Sequence, residues 1–178
     1  LRHTDSQIVY VDLSRASQKV ARERAMIRGL TNIEWHHGSL LDVGNMGLGK
    51  FDYINCTGVL HHLACPDTGL RALEEVLADD GAMGLMVYAK YGRASYYHVQ
   101  DLMQQINHED EHPESKIHNT KIAMSSLPTT FFLGHGIHRD KHLEGFFGDH
   151  INLYDTFLHS QDRAYTVPEV YQWVDSCG

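Results

Sequence analysis

The chain has 178 residues, enough for one domain with a sizeable core. Its 42% hydrophobic and 21% charged residues are ordinary for a soluble globular protein, and no apolar run approaches the roughly 18 residues a membrane span needs. A formal net charge of -8 excludes a general attraction to nucleic-acid phosphate.

Residues 7–12 read as a β-strand rich in β-branched side chains, closed by Asp12. Ser14 is a helix N-cap for a run from Arg15 to Arg28, with Ala16, Val20, Ala21, Ala25 and Ile27 near one face. Arg15, Lys19, Arg22, Arg24 and Arg28 form its solvated side, and Gly29 ends it. A short strand, Asn32 to His36, leads into the loop Gly38-Ser39-Leu40-Leu41-Asp42. Gly44, Gly47 and Gly49 then mark a loose connection to an apolar strand over 51–56. A helix is expected over 66–78, with Pro66 in its first turn and Leu70, Leu73, Val76 and Leu77 at helical spacing. Asp80-Gly81 reads as a turn before a nearly unbroken apolar strand, 82–89. Apolar strands alternating with amphipathic helices predict an α/β fold with a mostly parallel sheet and helices on both faces.

The alternation stops near Lys90. A helix around 94–107 is followed by a polar stretch, His108 to Thr120, and a Gly/His/aromatic stretch, Phe131 to Phe147. A segment this long reads as a lid or substrate-binding insertion. A last helix starts near Val167, with Thr166 and Glu169 at capping-box spacing and Val170 and Trp173 or Val174 facing inward. The expected organisation is a partial Rossmann-like core over 1–90, with the insertion and C-terminal helix, 91–178, belonging to the same domain.

Of the 14 histidines, nine lie between His98 and His159. They show no H-E-x-x-H and no Cys/His grid, so no metal site is expected. The three cysteines, Cys56, Cys65 and Cys177, contain no C-x-x-C pair, and an odd count argues against a complete disulfide framework. Reduced thiols and a cytoplasmic location follow.

In an open α/β sheet, ligands bind beyond the carboxyl ends of the strands. Three segments meet that rule here. Asp12 ends the first strand, where an acid can accept hydrogen bonds from two ribose hydroxyls or simply cap the next helix. The 38–42 loop follows the second strand. Asn55 to His62 follows the third, and Gly58 lets backbone approach a ligand closely.

The segment Phe51-Asp52-Tyr53-Ile54-Asn55-Cys56-Thr57-Gly58-Val59-Leu60-His61-His62-Leu63 is flanked by Ile8-Val9-Tyr10-Val11-Asp12 and by Asp79-Asp80-Gly81 with Ala82-Met83-Gly84-Leu85-Met86-Val87-Tyr88. Together these resemble the class I S-adenosylmethionine (SAM)-dependent methyltransferases over residues 7–89. The resemblance extends weakly to Asp155–His159 and Arg163–Glu169. It implies that Asp12 holds ribose, that the adjoining Leu13 is also cofactor-binding, that Ser39, Leu40 and Asp42 serve adenine, and that Thr57 and Gly58 meet the methionine end of SAM. Ser39 stands where many members have Asp, so Asp42 is the alternative in that role. His62 is the candidate proton acceptor, because imidazole titrates near neutrality. Tyr88, Tyr91, Arg93, Tyr96 and Tyr97 either line the same cleft or pack a helix face.

The family's first strand and its G-x-G-x-G turn are expected about 20 residues before the ribose acid. Only 11 residues precede Asp12, none of them glycine. The family's last two strands are also missing, so the chain reads as a fragment that binds SAM weakly or not at all alone. The function implied is methyl transfer to an O, N or C nucleophile of a small molecule, without nucleic acid or membrane as partner and with oligomeric state open. The alternatives are an inactive methyltransferase-like scaffold and an NAD(P)-dependent enzyme on a similar sheet.

Overall fold

The computed structural model describes residues 6–108, 112–133, 145, 147–159 and 161–177. Two compact units emerge, one from Leu1–Met86 with Tyr171–Gly178 and one from Val87–Val170.

The first unit is built from βα repeats. Strand β1 (Ile8–Asp12) leads into helix α1 (Arg15–Ile27) and returns as β2 (Ile33–His37). Ser14 caps α1 by accepting the Ser17 N–H at 3.2 Å, and Gly29 follows the helix at φ +67°, as a left-handed terminator should. β1 and β2 pair in parallel, Ile8 opposite Ile33 through Asp12 opposite His37. A 3-10 helix, Leu40–Met46, connects to β3 (Phe51–Thr57). Helix α2 (Pro66–Glu74) and strand β4 (Leu77–Met86) follow, and β4 pairs with β3 in parallel. Val43, Ala72 and Val76 form a small core with Leu40, Leu48, Phe51 and Ile54 around it. All strand pairing between named strands is parallel, as the alternation of apolar strands and amphipathic helices implies.

Two local readings need correction. The helix expected to reach residue 78 ends at Glu74, and β4 starts at Leu77 instead of 82. The pairing register supplies the reason. Phe51 faces Leu77 while Tyr53 faces Ala82, so the four residues 78–81 stand opposite the single residue 52 at an irregularity in the ladder. The expected Asp80-Gly81 turn is absorbed into that feature. A Cβ on Gly81 would lie 3.0 Å from the carbonyl oxygens of both Phe51 and Ala78. The strands also form two separate two-stranded sheets, β1–β2 and β3–β4, where a single sheet is expected.

In the second unit, helices α3 (Ala94–Ile106) and α4 (Pro113–Ser126) and the segment 150–158 enclose their own core. Val99, Met103, Leu153 and Phe157 are almost completely buried there, and the Tyr96 ring stacks on Phe157 at 5.9 Å. α4 occupies much of the stretch that reads as merely polar. It buries only Thr120 and Met124, so it carries little periodic apolar signal. The segment 150–158 is a short helix, α5 (His150–Leu153), continued by a π-helical turn, Tyr154–Leu158. The stretch Phe131 to Phe147 lies largely outside the described residues. Helix α6 (Val167–Cys177) starts in this unit and ends in the first. Its capping box is complete: Thr166 N–H donates to Glu169 Oε2 at 2.6 Å and Glu169 N–H to Thr166 Oγ1 at 3.3 Å. Trp173 is its inward residue, whereas Val174 is 39% exposed.

Candidate functional site

A cavity of about 440 Å³ opens in the first unit, lined by Val9 to Asp12 of β1 and Tyr53 to Thr57 of β3. Leu40, Val43, Val59, Leu73 and Val76 supply an apolar wall. This volume falls in the range of small-molecule and cofactor sites, and a few polar groups converge on it, as such sites require.

Asp12 is the main polar group. The strand ends at this residue, which places its carboxylate at the carboxyl end of β1. Both carboxylate oxygens are oriented by the chain. Tyr10 Oη donates to Oδ2 at 2.7 Å, and Ser14 N–H donates to Oδ1 at 2.7 Å. The second bond is the local helix-capping role that the sequence leaves open. A carboxylate has about four lone-pair sites, so two remain to accept from a ligand. Partial burial and the Asp12 carboxylate push the Tyr10 phenol up to about 12, burial being the larger cause. Tyr10 also packs on Trp35 at 5.0 Å between ring centroids, and the Arg22 guanidinium lies 4.9 Å over the other partner of that pair, Trp35.

On β3, Thr57 Oγ1 donates to Asn55 Oδ1 at 2.8 Å, and both residues line the cavity. The same strand carries Cys56, whose thiol is raised by burial, as expected of an inert, packed cysteine. Gly58 adopts φ +74° and its N–H donates to Met86 O at 3.1 Å. This conformation is strained for any residue with a Cβ.

Of the eight residues singled out in the sequence, Asp12, Leu40 and Thr57 line the cavity. The others do not. Leu13 is 71% exposed. Ser39 is the N-cap of the 3-10 helix, accepting the Leu41 N–H at 3.1 Å, and Asp42 sits exposed in the first turn of that helix. Gly58 borders the lining residues Thr57 and Val59 without lining the cavity itself. His62 is half-buried, with its ring centroid 4.1 Å from that of the fully buried His61. Tyr10 is the residue that sequence reasoning misses, and Asn55 opens a candidate segment without a role of its own. Their signal is the period of two: each stands two positions before a candidate ligand residue, hence on the same face of its strand.

The second unit gathers the aromatic residues that follow β4. The Arg93 guanidinium lies 3.6 Å over the Tyr88 ring and 4.8 Å from the Tyr96 centroid. Gln100 donates to Thr156 O at 2.8 Å and to Asp162 Oδ2 at 3.1 Å. Tyr97 is pushed up to about 12, chiefly by burial and then by Asp162. Tyr91 is 82% exposed, so it packs no helix face.

The parallel βα repeats place the fold in the Rossmann-like class. Comparison with known proteins narrows this. Residues 1–83 match the family described as "Methyltransferase domain". The chain is 42% identical over 97 residues to the uncharacterized protein syc1184_c of Synechococcus, which covers 54% of this chain and 23% of that protein. It is 41% identical over 58 residues to the uncharacterized protein RP789 of Rickettsia prowazekii, 33% of this chain and 10% of that one. The chain thus spans under a quarter of the length of these relatives. Among solved structures, PKMT2 from Rickettsia typhi in complex with AdoHcy superimposes with a TM-score of 0.70 at 19% identity, covering 97% of this chain and 34% of PKMT2. Residues 1–83 thus match a methyltransferase-domain family, in line with the class I SAM-dependent methyltransferases that the sequence resembles.

Proposed function

We infer that the chain is part of a longer SAM-dependent methyltransferase and supplies part of its cofactor site. The observation that carries this reading is the oriented Asp12 carboxylate at the carboxyl end of β1, beside an apolar wall. Asp12 would accept the ribose hydroxyls, Leu40 would pack on adenine, and Thr57, with the backbone at Gly58, would meet the methionine end. AdoHcy in the structurally similar PKMT2 supports SAM as the cofactor. When bound, SAM supplies a methyl group on a sulfonium, an intrinsically good leaving group. The chain's own residues therefore contribute mainly positioning and electrostatics.

The acceptor is an O, N or C nucleophile, with a small molecule as the working substrate class. The unit formed by Val87–Val170 would select it. His62 is the proton acceptor in this scheme. No helix among the described residues is long and apolar enough to cross a membrane, and the proposed location is the cytoplasm.

Equilibrium dialysis of the longer protein against radiolabelled SAM, with NADH as competitor, tests the reading. Saturable binding that NADH does not displace, and that Asp12→Ala abolishes, is the expected result. Displacement by NADH would transfer the site to a dehydrogenase, and no binding would favour a scaffold.

A further inference from the structure

Asparagine is depleted from strand interiors, yet Asn55 stands inside β3 and on the cavity wall. Strand parity puts Tyr53, Asn55 and Thr57 on one face. Asn55 stands opposite Gly84 of β4, which offers it no side chain, and a Cβ on Gly84 would collide with Tyr53 Oη. Thr57 is therefore the partner that sets the Asn55 amide, its Oγ1 hydrogen going to Asn55 Oδ1 at 2.8 Å. Asn55 Nδ2 makes no hydrogen bond among the described residues, so it keeps both of its hydrogens for a ligand. Thr57 Oγ1 has committed its only hydrogen and keeps its lone pairs, so toward a ligand it accepts. The two residues present a fixed donor beside a fixed acceptor.

A ligand that matches this pair carries an acceptor next to a donor. An α-amino acid does so, with a carboxylate and an ammonium on one carbon. Asp12 is the one formally charged side chain among the described residues of the lining, so a ligand carboxylate avoids β1 and turns to the N–H groups on β3. Leu40, Val43, Leu73 and Val76 offer it no hydrogen bond. We propose that Asn55 and Thr57 read the amino-acid end of SAM: Asn55 Nδ2 donates to the α-carboxylate, and Thr57 Oγ1 accepts from the α-ammonium. The inference rests on the SAM reading above and deepens it, by making Asn55 a specificity-determining residue. Ribose, the partner of Asp12, is common to all nucleosides. The amino-acid end is what separates SAM from nucleosides that lack it, and hydrogen bonds to charged groups are the stronger ones, so Asn55 is well suited to that discrimination.

Calorimetry of the longer protein with three probes tests this. The probes are S-adenosylhomocysteine, its decarboxylated analogue, which keeps the ammonium, and methylthioadenosine, which lacks the amino-acid end. Asn55→Asp keeps the size of the side chain and the oxygen that accepts from Thr57, but turns the donor into a charged acceptor. An aspartate there attracts either ammonium and repels only the carboxylate. The affinity for S-adenosylhomocysteine relative to its decarboxylated analogue is therefore expected to fall about tenfold or more. Methylthioadenosine should bind the variant as it binds the parent, which also shows that the variant is folded. An unchanged ratio, or an equal loss for all three probes, would overturn the proposal. Asp12→Ala gives a different pattern, weakening all three, because each carries the ribose. A parent protein that binds none of the probes would overturn the SAM reading and this inference together. A parent that binds them with a ratio indifferent to Asn55 would overturn this inference alone.

Discussion

The Tyr10–Asp12 hydrogen bond makes a prediction that needs no ligand. Replacing Asp12 by Asn keeps an acceptor of the same shape and removes the charge. The Tyr10 phenol, held at about 12 against an ordinary 10, should then titrate at lower pH. Its largest cause, burial, survives the substitution, so the value should fall only part of the way. The sign follows from linkage: a phenol raised on folding stabilises the protein below the ordinary value, and that contribution is lost as pH rises from about 10 through about 12. A hydrogen bond to a charged acceptor contributes roughly 1.5–3 kcal/mol when well buried. Tyr10 is only partly buried, so screening reduces this to about 1 kcal/mol, the expected loss on Tyr10→Phe. The assay is the alkaline absorbance titration of phenolate. Subtracting the Tyr10→Phe curve from the parent isolates this residue from the other eight tyrosines. A Tyr10 curve that stays put in Asp12→Asn would refute the reasoning.

Other predictions follow from single contacts. Gly58→Ala forces a Cβ into φ +74° and should cost about 1–2 kcal/mol in denaturant unfolding, with no new clash closer than the Met86 Cε at 3.6 Å. Thr166→Ala removes half of the α6 capping box and should cost about 1 kcal/mol. Hydrogen bonds from Thr166 hold Glu169 below the usual carboxylate range, so this cap stabilises α6 above that range and is lost as pH falls through the lowered value. Helicity followed on acidification should therefore fall earlier in the variant. Phe157→Ala, at a residue 1% exposed, should cost about 3–5 kcal/mol and unfold the Val87–Val170 unit first, visible as selective loss of protection at Val99 and Met103.

Much of the first unit is legible in the sequence because its signals are local. The β-branched run at Ile8–Val11, the Ser14 cap and the Gly29 terminator each act within one element, and the structure has all three in place. The misreadings lie where pairing between strands decides. Residues 78–81 carry turn chemistry, but their fate depends on Phe51 meeting Leu77 and Tyr53 meeting Ala82. α4 escapes a periodicity argument because few of its residues are buried. At the site, the acid at a strand end is readable from position alone, and Asp12 lines the cavity. Ser39 and Asp42 are not separable from cap and turn residues by type, and Ser39 is in fact a cap. Tyr10 carries no signal in the sequence because a tyrosine is ordinary in a β-strand; the hydrogen bond to Asp12 reveals its role.

The central claim is that residues 1–178 contribute a SAM site organised around Asp12. Calorimetric titration of S-adenosylhomocysteine into the chain extended upstream, and into its Asp12→Ala variant, tests it most directly. The account predicts saturable binding to the extended protein and at least a tenfold loss in the variant, with weak or no binding by the 178-residue chain. Equal binding with and without Asp12, or no binding by the extended protein, would contradict it.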